Sequence, residues 1–150
     1  MSEKMHDEKD KTIHWKAEYS VEVEEIDTQH LELMSQINEL INHSIQNLDE
    51  GKKMFKEKME KAIKHCARHF ETEEILLSKT DYKDFNAHKK EHKELLERVE
   101  NMKGELRKAK DVKYLFNLTV CFKEWFLSHI LLYDREAKEF FKTGAEAKRT

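Results

Sequence analysis

The 150-residue sequence contains no proline and only three glycines. A β-sheet protein of this length needs many tight turns, and proline and glycine are among the residues that turns require. Their scarcity therefore favours a small number of long α-helices joined by few connections. The length suits one domain with a single hydrophobic core.

The sequence also lacks long apolar runs and an excess of charge of one sign. Its longest apolar runs are only a few residues, which is too short for a helix that crosses a bilayer. The N-terminal segment has no apolar core of the kind that signal peptides carry. Charged residues make up 39% of the sequence, but their signs are mixed and the net charge is −3, so no basic patch points to nucleic acid. We therefore expect a cytoplasmic protein that neither binds nucleic acid nor inserts into a membrane.

Cysteine is scarce as well, since only Cys66 and Cys121 are present. Both are expected on the apolar stripes described below, and they do not form a CxxC pair. We expect two buried free thiols in a reducing compartment rather than a disulfide.

Apolar residues recur at helical spacing in four segments of the sequence. Polar breaks at residues 47–53, 78–84 and 107–113 separate these segments. Four amphipathic helices with short connections form an antiparallel up-down-up-down bundle, so we predict an all-α four-helix bundle. The apolar positions are Leu33, Met34, Ile37, Ile41, Ile45 and Leu48; Phe55, Met59, Ala62, Cys66, Phe70 and Leu77; Phe85, Leu95, Val99, Met102 and Leu106; and Leu115, Leu118, Phe122, Trp125 and Phe126.

The segment before the first helix has no helical period. We predict that it is an extended N-terminal arm laid over the bundle and anchored by Trp15 and Tyr19. Asp27 is of the residue type that caps helix N-termini, and we predict that it caps the first helix. The predicted limits are residues 1–14 for a polar N-terminal tail, 15–142 for the bundle and 143–150 for a polar C-terminal tail.

Five histidines and one glutamate lie on the stripes that should face the core. A polar group in a core costs free energy unless it is paired or bound to something. In a bundle with short connections, two residues on neighbouring helices lie at one level when the mean of their residue numbers falls in the connection between the helices. The histidines meet this condition at all three connections. Those at one level are His30, His69, His92 and His129, and Glu73 and His88 lie one helical turn away.

A single core-facing histidine is usually a structural residue. Two pairs at a spacing of four, together with two single histidines at the same level, instead predict a metal site in the bundle core. Asp134 is five residues past His129, which on an ideal helix turns it about 140° away from that face. It joins the site only if the fourth helix loosens or ends there.

The other four histidines and Glu74 do not lie on a core-facing stripe at the level of the site. We expect His6 and His14 in the tail or arm, His43 on the polar side of its helix, and His65 beside the main stripe. Glu74 points about 100° away from its neighbour Glu73, so we expect it to be solvated.

Five imidazoles and two carboxylates are more ligands than one tetrahedral zinc ion can bind. Mixed imidazole and carboxylate ligands suit two iron ions bridged by the carboxylates. Di-iron oxidases rely mainly on carboxylates with Glu-x-x-His motifs, which these stripes lack. A histidine-rich site stabilises ferrous iron, so the pattern favours reversible binding of O2 over oxidation of a substrate.

Four segments of the sequence carry a resemblance to a known family. "SVEVEEIDTQH", "HFETEE", "HKKEH" and "WFLSHILLYD" resemble the signatures of the hemerythrin family, and the chain is most similar to the single-domain bacteriohemerythrins. The resemblance runs from Trp15 to Phe141. It implies a non-haem di-iron centre with an oxo or hydroxo bridge, in which each iron takes histidine ligands and both share two carboxylates. The implied ligands are His30 and His69 on one iron, His88, His92 and His129 on the other, and Glu73 and Asp134 as bridges.

The resemblance also implies a small apolar pocket in which O2 binds at the open position of one iron. Two residues depart from the family's usual pattern. Glu22 replaces a glycine in the arm, and Phe126 stands where leucine is usual in the pocket. A plain change of core packing with no effect on O2 remains the alternative for Phe126. The pocket-lining residues implied are Leu33, Phe70, Trp125, Phe126 and Ile130.

These observations together predict a monomeric protein that binds O2 reversibly, for storage, delivery or scavenging, and that also admits small anions at its iron site. We do not expect an enzyme. The alternatives are a module that senses O2 or redox state and a di-iron enzyme that reduces peroxide or NO.

Overall fold

The computed structural model describes residues 11–43 and 47–149, and within them the fold is all-helical with no strands. The antiparallel bundle consists of four long helices, as predicted. A short 3-10 helix precedes it, and a π-helix followed by a fifth α-helix completes the chain. The elements are the 3-10 helix Ala17–Tyr19, α1 Glu24–His43, α2 Leu48–Ser78, α3 Phe85–Lys108, α4 Val112–His129, the π-helix Ile130–Asp134 and α5 Lys138–Arg149.

The connections between helices are close to those predicted at two of three places. The break predicted at residues 47–53 is wrong, because α2 begins at Leu48 within it. The side chain of Asn47 caps this helix by accepting hydrogen bonds from the backbone N–H groups of Asp49 and Glu50. A cap followed by acidic residues is a favourable helix start, which explains why a polar stretch is helical here. Ile45 of the predicted first stripe lies outside the described residues.

The N-terminal arm meets α1 one turn earlier than predicted. The helix begins at Glu24, so Asp27 lies inside its first turn and is not its cap. Asp27 instead accepts hydrogen bonds from the Ser20 hydroxyl at 2.6 Å and from the Val21 backbone N–H at 2.9 Å. Tyr19 anchors the arm in the core, whereas Trp15 is 38% exposed and contributes little burial.

Glu22 has a positive φ of 58°, a conformation that costs a non-glycine residue free energy. Its carboxylate lies 3.1 Å from Lys138 Nζ and 3.3 Å from Lys142 Nζ, both on α5. The hydrogen bond with Lys138 and the charge of the two lysines lower the pKa of Glu22. A glycine would avoid this strain, but the Glu22 side chain joins the arm to α5.

The predicted C-terminal tail from residue 143 is instead part of a helix, because α5 continues to Arg149. Phe141 and Gly144 are buried and form its inner face, and the buried Ala137 directly precedes it. Gly144 lies so close to α2 that a Cβ atom there would be 2.2 Å from the carbonyl oxygen of Leu76. Together with the arm, α5 closes one end of the bundle over a second core cluster of Val21, Val23, Ile26, Leu76, Leu77, Ala137 and Phe141.

One described helical stretch, Val112–Asp134, is long and apolar enough to cross a membrane by length and composition alone. This differs from the expectation that the apolar segments are too short. A single stretch of this kind is weak support for a membrane span, because a core helix meets the same criterion. Here the stretch carries Phe122, Phe126 and His129 into the core of the bundle.

The two cysteines differ in exposure, so the expectation of two buried thiols is wrong for one of them. Cys66 is buried on α2, and burial raises the pKa of its thiol to about 12. Cys121 is exposed on α4.

We therefore expect a water-soluble thiol reagent to modify Cys121 but not Cys66 in the folded protein. The thiolate is the reactive form, and burial both denies access to Cys66 and suppresses its ionisation. Counting modified thiols before and after addition of denaturant tests this, with Cys121→Ser as the control that should be unreactive until unfolded. Rapid modification of two thiols in the native wild type would contradict it.

Candidate metal centre

Seven polar side chains converge in the interior of the bundle, and each is at most 1% exposed. Every long helix supplies at least one of them, and the π-helix supplies the last. The structure thus brings together all seven residues that the sequence indicated as ligands. They are His30 on α1, His69 and Glu73 on α2, His88 and His92 on α3, His129 on α4 and Asp134 at the end of the π-helix.

The π-helix explains how Asp134 reaches the site. The backbone N–H of Arg135 donates to the carbonyl of Ile130 at 2.9 Å, which is a hydrogen bond between residues five apart. This wider turn brings residues five apart back onto one face, whereas an ideal α-helix turns them away. Asp134 joins the site because the fourth helix loosens after His129 into a single π-helical turn.

The two oxygens of Glu73 face different histidines. Oε2 lies 2.8 Å from Nε2 of His69, and Oε1 lies 2.9 Å from Nε2 of His92. The carboxylate therefore stands between two groups of imidazoles. Its other distances are 3.4 Å from Oε2 to His30 Nε2, and 3.2 Å and 3.5 Å from Oε1 to the Nε2 atoms of His88 and His129.

Asp134 divides the histidines in the same way. Its Oδ2 lies 3.0 Å from Nε2 of His30, while its Oδ1 lies 3.1 Å from Nε2 of both His88 and His129. The ligand atoms thus form two groups, each able to hold a metal ion, that share both carboxylates. One group is His30, His69, Glu73 and Asp134, and the other is Glu73, His88, His92, His129 and Asp134.

Many of these atoms are close together without being hydrogen-bonded. Nε2 of His30, His69 and His129 and both oxygens of Asp134 have no hydrogen-bond partner in the described part of the chain, although none is exposed. Their distances suit hydrogen bonds but their directions do not, because the atoms point toward common centres rather than at each other. Buried polar atoms left unpaired are costly, and a bound cation would satisfy them. The cluster therefore fits a metal.

The carboxylates control the protonation of these histidines when no metal is bound. Burial lowers the pKa of His30, but Asp134 and Glu73 outweigh it and raise the pKa to about 9. The same opposition leaves the pKa of His88 at about 9 and that of His129 at about 10. Burial raises the pKa of both carboxyls, but the facing histidines hold them below their ordinary values. In the metal-free protein, protonated histidines thus balance the negative charge of the two carboxylates.

Metal binding to the metal-free protein is accordingly expected to release protons near pH 7.5. Three histidines with raised pKa values hold protons there, and a metal binds only the deprotonated ring. The release should disappear above about pH 10, because the three rings have already lost their protons there. Because these pKa values are raised in the folded state, protonation of the three histidines stabilises the metal-free fold. This stabilisation is complete below the unfolded pKa of about 6.5 and is lost as the pH rises through 9 to 10. A pH-indicator titration with Zn2+ measures the release, and no release at pH 7.5 would contradict this.

Two ligand histidines are held from behind by residues that sequence reasoning missed. Oε1 of Gln29 lies 2.7 Å from Nδ1 of His69, and Oε2 of Glu74 lies 2.9 Å from Nδ1 of His92. Glu74 is therefore not solvated as expected, although it is 24% exposed. It turns away from the face of its own helix but toward α3, which a single-helix argument overlooks. Asking what each ligand's second ring nitrogen donates to would have revealed both residues.

Aromatic rings cover the apolar side of the cluster. Phe126 meets the His30 ring edge-on with centroids 5.7 Å apart, and Phe70 stacks on His92 at 4.1 Å with an 8° angle between planes. Of the other residues implied to line a pocket, Leu33 and Ile130 are fully buried. Trp125 is half-buried, with the Arg98 guanidinium 6.0 Å from its ring centre.

The two other histidines whose side chains are described lie away from the cluster. His14 is exposed, and its ring is 3.4 Å from the Thr12 hydroxyl. His65 is half-buried between Glu32, at 3.0 Å, and Gln36, at 3.3 Å. His6 and the side chain of His43 lie outside the described residues.

Comparisons with known proteins agree with this geometry. The family model of the hemerythrin HHE cation-binding domain matches residues 21–141. Myohemerythrin of Sipunculus nudus is 31% identical over 81 residues, which cover 54% of this chain and 61% of that protein. A crystal structure of a leucine-to-phenylalanine mutant superposes with a TM-score of 0.71 at 25% identity, over 86% of this chain and 96% of the other.

Proposed function

The chain belongs to the hemerythrin family, and from that membership and its buried site we propose that it binds O2 reversibly at a centre of two non-haem iron ions. Glu73 and Asp134 would bridge the irons, together with an oxo or hydroxo group. The observation that carries the proposal is the way each carboxylate presents one oxygen to each group of histidines. That arrangement is what a carboxylate needs to bridge two ions, and a single-ion site has no use for it.

The two proposed positions differ in the number of protein ligands. Both use the two carboxylates, but one adds three histidines and the other adds only His30 and His69. The position with fewer ligands is the one with room for O2, and Phe126 lies against its His30. When bound, the two ferrous ions supply the electrons that allow O2 to be held and released.

The apolar residues implied to line the O2 pocket are closed to solvent in the fold. Leu33, Phe70, Phe126 and Ile130 are at most 1% exposed and offer no proton donor in their side chains. An apolar lining of this kind suits a small uncharged ligand such as O2. The five imidazoles hold the irons without contributing charge, which favours the ferrous state that O2 binding needs.

The test combines metal analysis with a gas cycle on the purified protein. We expect two irons per chain and, after anaerobic reduction, a visible absorption band that appears in air and vanishes when O2 is removed. One iron per chain, or zinc alone, would rule out the di-iron centre. A band that never reverses, with O2 consumed at each cycle, would instead support a di-iron enzyme.

Phe126→Leu is expected to accelerate O2 binding without changing the iron content. The Phe126 ring is fully buried against His30, and interiors are close-packed, so a smaller side chain widens the route to the open position. The substitution should cost about 1 kcal/mol of stability. Stopped-flow mixing with O2 measures the rate.

The matched control for Phe126 is Phe122→Leu, one turn earlier on α4 and equally buried. It should cost similar stability and leave the O2 rate unchanged. Equal rates in the wild type and both variants would show that Phe126 is ordinary core.

A further inference from the structure

We propose that Glu74 and Gln29 are positioning residues that make the two metal positions unequal, so that the three-histidine position binds a divalent metal ion more tightly and fills first. Glu74 holds His92 of that position through a charged acceptor. Gln29 holds His69 of the other position through a neutral one. The inference rests on the proposed two-metal centre and adds an order of filling to it.

Glu74 acts on His92 from the side opposite the metal. The Nδ1–H of His92 donates to Glu74 Oε2 at 2.9 Å, while its Nε2 lies 2.9 Å from Oε1 of Glu73. The neighbouring carboxylates of Glu73 and Glu74 on α2 thus lie next to the two ring nitrogens of His92. The parallel stack of Phe70 at 4.1 Å fixes the ring plane. His92 is therefore held in the tautomer that leaves Nε2 free for a metal.

The orientation of Gln29 follows from its neighbours. The hydroxyl of Thr72 donates to the carbonyl of Arg68 at 3.1 Å, so its oxygen is left to accept. It accepts from the amide nitrogen of Gln29 at 3.2 Å, which turns the amide oxygen toward His69 at 2.7 Å. In this arrangement the amide oxygen accepts from His69, which donates from Nδ1 and keeps Nε2 for the metal.

The two acceptors hold equivalent rings but differ in charge. A carboxylate behind a ligand imidazole makes the ring a stronger electron donor than a neutral amide does, and loss of such a partner typically weakens metal binding about 10-fold to 100-fold. Nδ1 of His30, His88 and His129 has no hydrogen-bond partner in the described residues. The one charged acceptor at Nδ1 of a ligand therefore falls, within the described chain, on the position that already has more ligands.

The experiment exchanges the two acceptors. Metal-free wild type, Glu74→Gln and Gln29→Glu are titrated with Co2+ against a competing chelator, which gives two stepwise dissociation constants. Glu74→Gln keeps an acceptor oxygen and removes only its charge, so we expect the tighter step to weaken about 10-fold while the weaker step stays unchanged. Gln29→Glu should tighten the weaker step by a similar factor. The Nδ1–H signal of His92 in NMR spectra of the Co2+ protein should move in Glu74→Gln alone.

Glu71→Gln is the matched control, because it removes one negative charge from an exposed position one turn earlier on α2. It should leave both constants unchanged. Equal weakening by Glu71→Gln and Glu74→Gln would reduce the effect to net charge and overturn the inference, as would wild-type constants in Glu74→Gln. A wild type that binds only one Co2+ ion would instead sink the two-metal centre itself, so the two failures are distinguishable.

Discussion

Glu73→Ala is expected to abolish metal binding at both positions. Glu73 is the residue that every ligand histidine faces, because its oxygens lie within 3.5 Å of all five Nε2 atoms. Removing it takes a shared ligand from both groups at once. A metal at 1,000 times its dissociation constant stabilises a fold by about 4 kcal/mol, which for a chain of this length corresponds to roughly 8–16 °C in Tm. The wild type should show such a rise on metal addition and Glu73→Ala should show none.

Metal analysis and thermal unfolding with and without Fe2+ under anaerobic conditions measure both effects. Glu71→Ala is the control, since its exposed side chain lies on the same helix and meets none of the ligands. If Glu73→Ala retained two metals per chain, the bridging role assigned to this carboxylate would be wrong.

Gly144→Ala is expected to displace α5 from the bundle. The added Cβ would lie 2.2 Å from the carbonyl oxygen of Leu76 and 2.8 Å from its carbonyl carbon. Both are backbone atoms of α2, so neither can rotate away and the helix itself must move. Overpacking of this kind costs about 3 kcal/mol. Phe141, one turn earlier, meets the His88 ring edge-on at 5.8 Å, so the displacement should also admit water to the metal centre.

Denaturant unfolding measures the cost, and hydrogen exchange of the α5 amides locates it. Gly104→Ala is the matched control. A Cβ at Gly104 meets nothing within 4 Å, so the substitution should instead stabilise α3 by about 0.5–1 kcal/mol. Unchanged exchange of α5 in Gly144→Ala would show that the helix accommodates the methyl group.

The bundle and the convergence of the histidines could be predicted because both follow from local rules. Helical spacing sets which residues share a face, and short connections set which residues share a level. Helix geometry alone could not place Asp134, which only the family resemblance implied, because a π-helical turn replaces the ideal α-helix there. The sequence permits this turn without requiring it.

The errors have physical causes of the same kind. Helix α5 was missed because its inner face is narrow, with only Phe141 and Gly144 buried deeply among charged residues. Residue type alone predicts Asp27 as a helix cap, but its carboxylate accepts hydrogen bonds from the Ser20 hydroxyl and the Val21 N–H of the arm instead. Glu74 was missed because its partner lies on another helix. Each error came from judging a residue by its own helix alone.

The distribution of ligands along the chain has a consequence for synthesis. The group formed by His30 and His69 near the start of the chain also needs Asp134, which comes after all four long helices. A nascent chain that ends just before the π-helix therefore contains all five ligand histidines but no complete metal position. The ribosome delivers the closing ligand of both positions last, so capture of the metal ions waits until the whole bundle is available to enclose them.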